Sequence, residues 1–189
     1  MLFRSKAAYK ACLALDVGGI GDKSFNDSAY AGLQSLKTEG FDTAYSEAKG
    51  ATDYAANIQL LVDQGCKTIV VVGFSQGAAV VAATKANPTI NFAWVDASWD
   101  TTANGPTPTN FTGLDYQIDE ASMLAGYLSA AISTSKTIAT FGGQPFAGVT
   151  RFMDGFVAGA NYYANKKGTK VTVLGWDPVK KTGTFAPGD

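Results

Sequence analysis

Histidine does not occur anywhere in the 189 residues, and only two cysteines do, Cys12 and Cys66. Zinc centres assembled from several Cys and His ligands are therefore excluded, and no other cofactor is called for. Taken alone, the two cysteines form either one disulfide or two buried thiols. Charge is sparse as well. Charged residues make up 16% of the chain and the formal net charge is -1, with lysine and arginine scattered rather than clustered. A phosphate backbone would find no basic face, so nucleic acid is not an expected partner. Long apolar runs are also missing. No window approaches the roughly 18 consecutive apolar residues that a membrane span requires. Met1 to Lys10 (MLFRSKAAYK) lacks the apolar centre of about seven or more residues that marks a signal peptide, so an export signal, if the protein is exported, is not in this chain.

What is present is a soluble globular composition, 46% hydrophobic with 21 glycines, laid out as a repeating pattern. Ala11 to Val17 (ACLALDV) reads as a buried strand that runs into the glycine loop Gly18 to Lys23. Ser24 is in place to cap a helix carrying Phe25, Ala29, Leu33 and Leu36 at helical spacing, closed by Gly40. The pattern then repeats. Phe41 to Glu47 reads as a strand and Thr52 to Gln64 as a helix with Tyr54, Ile58 and Leu61 on one face. Lys67 to Val72 is a β-branched strand, Gln76 to Ala86 a small-residue helix, and Ile90 to Val95 a further strand. Thr101 to Asn110 is a polar loop without periodicity. Asp119 to Ile132 predicts a helix with Leu124, Leu128 and Ile132 on its buried stripe. After Ser133 to Lys136 the cycle resumes, with a strand at Thr137 to Phe141, a helix from about Val149 to Asn165, and a strand at Lys170 to Leu174. Strands alternating with helices of these lengths predict a parallel sheet covered on both faces.

Three motifs carry chemistry. The loop Gly18 to Ser24 (GGIGDKS) resembles a phosphate loop only superficially, because Asp22 stands where glycine should precede Lys-Ser and its carboxylate repels phosphate. The stretch Val70 to Val80 (VVVGFSQGAAV) has the Gly-x-Ser-x-Gly form of a nucleophile elbow, which makes a serine esterase of cutinase type acting through Ser75 the alternative reading. That chemistry takes the serine proton onto an imidazole, which this chain lacks. The bland reading of the same residues is a turn between strand and helix that small residues permit. Lastly, Asp16 and Asp96 fall at or just past the ends of two predicted parallel strands, where open α/β sheets bind ligands. Either carboxylate alone could simply hold its loop, whereas two at equivalent positions favour binding a small polar ligand. Beside Asp16, Phe25 is either first-turn core or a ring facing the ligand, and Asn26 offers both a donor and an acceptor.

The stretch DVGGIGDKSFNDSAYAGL (Asp16 to Leu33) resembles the opening motif of the basic membrane protein family, the substrate-binding lipoproteins of ABC importers. Supporting matches run from Asp53 to Phe74, Ala86 to Asp96, Asp119 to Ala131 and Phe141 to Tyr163. The resemblance implies a type I periplasmic-binding-protein-like α/β fold whose two lobes close on a nucleoside, most often a purine. It divides the chain into an N-terminal tail over residues 1–11, a doubly wound first lobe over 12–133 and an incomplete second α/β lobe over 134–189. It also implies a non-enzymatic role, an ABC permease as partner, and an extracytoplasmic location at the cell membrane through a lipid anchor not carried here. Transferred by motif, Phe25 is one stacking ring, Asp16 and Asn26 are polar contacts and Asp96 is the ribose ligand. Phe152 is the second ring, with Phe156 as runner-up, and Phe74 and Ser75 lie on the ligand side. Gly21 departs from the pattern, standing where many members have a second acidic residue. In the strand order of this fold the first and third strands are neighbours, so the resemblance pairs Cys12 with Cys66 in a disulfide at the ends away from the ligand.

Overall fold

A computed structural model describes residues 9–186. The chain divides into two compact units, Met1–Asp115 and Tyr116–Asp189.

The first unit is built on five parallel strands, β1 (Lys10–Leu15), β2 (Asp42–Glu47), β3 (Thr68–Val72), β4 (Asn91–Val95) and β5 (Phe111–Leu114), in the spatial order β2-β1-β3-β4-β5. Helices α1 (Phe25–Thr38), α2 (Tyr54–Asp63) and α3 (Gly77–Ala86) connect successive strands. Successive side chains of a strand point to opposite faces, so strands buried on both sides feed two cores at once. Cys12 and Ala14 of β1 join Ile69, Val71 and Trp94 in the core under α2 and α3, with Ile58, Leu61 and Val80 from those helices. Leu13 and Leu15 join Val72, Val95 and Leu33 of α1 in the other core. Burying a side chain of this size stabilises by about 1.5–3 kcal/mol, so these two clusters are the main holding force of the unit. The polar segment 101–110 is less irregular than its composition suggests: Asp100 accepts hydrogen bonds from the Thr102 and Ala103 amides and caps a one-turn helix, α4 (Thr101–Asn104). β5 had no sequence signal of its own; Asn110 fixes its start by donating to the carbonyls of Thr84, Asn87 and Ile90.

The expected N-terminal tail is not all tail. Residues 1–8 lie outside the described residues, while Lys10 and Ala11 already pair with Asp42 and Thr43 in the sheet. Cys12 and Cys66 form the expected disulfide, linking β1 to the residue pair that leads into β3, with Cα atoms 5.9 Å apart. Both are buried.

The second unit contains α5 (Ile118–Ile132), a short parallel pair β6 (Thr137–Ala139) and β7 (Thr172–Leu174), the long α6 (Ala147–Lys167), and a hairpin of β8 (Trp176–Asp177) and β9 (Thr182–Gly183). Two expectations are corrected here. The division falls at Asp115 and Tyr116, ahead of α5, not after residue 133, because α5 packs along α6 and so belongs with the second unit. Nor are Leu124, Leu128 and Ile132 its buried stripe: they are 73%, 59% and 72% exposed. The packed face of α5 is the one bearing Gly126 and Ala130, which are its buried residues. Residues two apart on a helix are about 200° apart around the axis, so a face through 126 and 130 turns 124, 128 and 132 outward. Glycine sets this choice. A Cβ at Gly126 would run into the Phe156 backbone, and one at Gly159 or Gly155 into the backbone of Met123 or Asp119, so the two helices touch main chain to main chain.

Among the described residues no helix is long and apolar enough to cross a membrane.

Candidate functional site

The strand order brings the C-terminal ends of β1, β3 and β4 side by side, and each ends in a residue with a special role: Asp16, Gly73 and Asp96. This is the end of the sheet at which open α/β folds bind ligands, since between β1 and β3 the connections leave toward opposite faces and open a crevice.

Asp16 is held through one oxygen. Its Oδ1 accepts from the Gly18 amide at 2.9 Å and from Asn26 Nδ2 at 2.7 Å, while Oδ2 meets no donor among the described residues. Asn26 is 2% exposed. Its second amide proton goes to Asp22 Oδ2 at 2.8 Å, and its Oδ1 accepts from the Asp16 backbone amide at 3.2 Å. Both of its protons are thus spent between two carboxylates, which keeps those charges apart and fixes the Asp16 side chain. Asn26 therefore enters the site as the holder of Asp16, with no amide proton left for a ligand.

The start of α1 is organised by Asp22, not by Ser24, whose side chain makes no capping hydrogen bond. Asp22 Oδ2 accepts from the Asn26 amide at 3.0 Å and Oδ1 from the Ser24 and Asp27 amides at 2.8 and 3.1 Å. Desolvation raises the Asp22 carboxyl, but these amides and the Asn26 side chain outweigh it and hold its pKa below the ordinary carboxylate value. The amides a phosphate would need are already taken, in agreement with the misfit of GGIGDKS to a phosphate loop. Asp27 accepts from the Gly21 and Lys23 amides and Glu47 at the end of β2 from the Ile20 amide, so with Asp16 on the Gly18 amide three acidic side chains pin the glycine loop.

The elbow-like segment is a turn. Gly73 adopts φ 93° and ψ 139°, open only to glycine, and a short 3-10 segment over Phe74–Gln76 leads into α3. Ser75 is exposed and shares a 3.1 Å hydrogen bond with the Tyr54 hydroxyl, which is a phenol and not an imidazole. Gln76 is buried and donates to the carbonyls of Val72 at 2.7 Å and Ala14 at 3.1 Å, tying the ends of β3 and β1 together. Trp94 Nε1 donates to the Gly73 carbonyl at 2.9 Å.

Asp96, half-buried past β4, has φ 62°, the left-handed region that ordinary side chains avoid. Burial raises its carboxyl above the usual range, and the charge of Asp115 adds to the rise. Phe25 at the first turn of α1 is 45% exposed, and Phe74 is exposed beside Ser75. In the second unit the Phe152 ring on α6 is 48% exposed, whereas Phe156 is only partly exposed, with its backbone against Gly126. A separate groove of about 550 Å³ is lined by α3 residues Gly77, Val81 and Lys85 with Trp94, Asp100 and Asn104; none of the predicted ligand residues borders it. Among the described residues no three His, Cys, Asp or Glu side chains gather as a metal site.

Six residues now in the site were not singled out for it in the sequence: Asp22, Asp27, Glu47, Tyr54, Gln76 and Trp94. Asp22 had been noticed only as the misfit of a phosphate loop, and an Asx residue three before the helix start was the signal available.

Residues 10–184 match the family model described as Bmp, ABC transporter substrate-binding protein PnrA-like. The chain is 35% identical over 160 residues to the ABC transporter nucleoside-binding protein BmpA of Lactococcus lactis subsp. cremoris, covering 82% of this chain and 44% of that protein. It is 31% identical over 157 residues to Basic membrane protein A of Borreliella burgdorferi, covering 83% and 45% respectively. The chain thus spans less than half the length of these relatives. A solute-binding protein of an ABC transporter system from Aeropyrum pernix K1 has the same fold, with a TM-score of 0.71 at 23% identity over 87% of this chain and 46% of that one. Family model, relatives and the parallel-sheet α/β fold agree: the chain belongs to the Bmp family of PnrA-like ABC transporter substrate-binding proteins.

Proposed function

We propose that this chain forms part of a receptor that binds a nucleoside, with a purine base preferred, and delivers it to an ABC permease on the outer side of the cell membrane. The observation that carries the reading is the state of Asp16: Oδ1 is pinned by Gly18 and Asn26, and Oδ2 is left to accept from a ligand hydroxyl or ring amine. A carboxylate held in this way binds without first having to be ordered, which is what gives a polar contact its strength. Asp96 offers a second acceptor at the same end of the sheet, suited to ribose hydroxyls. The Phe25 ring stacks on the base, Phe74 and Ser75 border the same side, and Phe152 supplies the second ring. Asn26 serves by holding Asp16. The nucleoside-binding relative supports the ligand class. Two relatives from Pyrococcus are named as lipoproteins, which supports a place at the cell membrane.

Calorimetric titration with adenosine, guanosine, inosine, cytidine and a simple sugar tests this. The expected result is saturable binding of a purine nucleoside, weakened at least about tenfold by Phe25→Ala through the lost stacking. Binding of the sugar alone, or equal binding by the Phe25→Ala variant, would overturn it.

A further inference from the structure

The turn that imitates a nucleophile elbow has a role of its own, and three independent contacts converge on it. A Cβ at Gly73 would fall 2.5 Å from Asp16 Oδ2 and 3.2 Å from Asp16 Cγ, far inside van der Waals contact. The Asp16 carboxylate thus lies directly over the Gly73 Cα, in space that any side chain would occupy. The Gly73 carbonyl is fixed by the Trp94 indole, whose ring edge would in turn stand 2.9 Å from a Cβ at Gly77. Gln76 spans the carbonyls of Val72 and Ala14, so the ends of β3 and β1 that carry Gly73 and Asp16 cannot slide past each other.

We infer that Gly73 is a positioning residue for the ligand carboxylate: its bare Cα is the seat on which Asp16 rests, and Trp94 and Gln76 hold that seat in place. This rests on the reading of Asp16 as a ligand acceptor, but the position of the carboxylate can be read without any ligand. The Gly18 amide and the Asn26 side-chain amide both donate to Asp16 Oδ1, so their proton and nitrogen resonances report where that oxygen is.

The test compares Gly73→Ala with the parent chain by heteronuclear NMR and by purine nucleoside titration. The expected result is displacement of both reporter signals, with affinity lowered at least about tenfold, the loss of one charge-assisted hydrogen bond. In the Asp16→Ala background the same Gly73→Ala change should cost no further affinity, since residues acting through one group are not additive. Reporter signals that stay in place in Gly73→Ala would overturn the inference. Should the parent bind no nucleoside, the proposed ligand class fails, while the NMR comparison still decides the seat. Should Gly73→Ala not fold, Trp94→Phe, which removes only the indole N–H that fixes the Gly73 carbonyl, takes its place: displacement of both reporter signals is expected, and signals that stay in place would overturn the inference.

Discussion

Asn26 Nδ2 donates to Asp16 Oδ1 at 2.7 Å and to Asp22 Oδ2 at 2.8 Å, so one buried amide holds the Asp16 carboxylate with one proton and the helix-capping carboxylate with the other. Asn26→Ala leaves both acids without this donor. We expect a loss of about 1–3 kcal/mol in stability, the cost of stranding buried polar groups, together with weakened nucleoside binding. Asn26→Asp should be worse, because a third carboxylate would face the other two. Denaturant unfolding with parallel titration checks the pair; an Asn26→Ala variant as stable as the parent would contradict this role.

Asp96 gives a prediction in which stability and binding move oppositely. Burial and the Asp115 charge raise its folded pKa, so folding favours the protonated form. Its contribution to stability is full below the unfolded pKa and is lost as pH rises through the folded one. At neutral pH the charged carboxylate therefore opposes the fold. Asp96→Asn, which also tolerates φ 62° better, should raise the midpoint of thermal unfolding at neutral pH while lowering nucleoside affinity. The gain should shrink as pH falls through the raised pKa; a gain unchanged at acid pH would refute the electrostatic cause.

The Cys12–Cys66 bridge has a sequence separation of 54 and lies within the core, with Cys12 four residues before Asp16. Replacing both cysteines with serine should lower stability by about 2–5 kcal/mol, as expected for a bridge of this span. Nucleoside affinity of the folded variant should stay within about twofold, since the bridge touches none of the residues proposed to bind the ligand. Chemical unfolding of the parent with and without reductant provides an independent check.

The pairing of α5 with α6 sets glycine against leucine. Gly159→Leu would force a side chain into the Met123 backbone and should cost at least about 3 kcal/mol or abolish folding of the second unit. Leu124→Gln, on the 73% exposed face, should change stability by less than about 0.5 kcal/mol. Circular dichroism melts of the two variants decide between them, and the reverse order of effects would restore the leucine stripe as the buried face.

Much of the first unit could be read from local pattern. Leu13, Leu15, Ile69 and Val71 mark strands because β-branched and leucine runs bounded by glycine leave few alternatives, and Ile58 and Leu61 mark the inward face of α2 by spacing. The Asp16 to Leu33 motif gave the family, and with the family the pairing of Cys12 with Cys66. The second unit was harder. Hydrophobic size pointed to Leu124, Leu128 and Ile132, but close approach selects the smallest residues, and Gly126 shows its value only when Phe156 and Met123 are beside it.

Sequence by itself determined where β1 to β4 and their connecting helices lie, which acids end β1 and β4, and that no imidazole stands by to activate Ser75. Only the tertiary structure decided that Asp22 caps α1, that Asn26 spends its protons holding Asp16, and that Gly73 leaves the space the Asp16 carboxylate fills. Periodicity and composition act between neighbours along the chain, whereas Asp16 and Gly73 meet only because β1 and β3 lie side by side in the sheet.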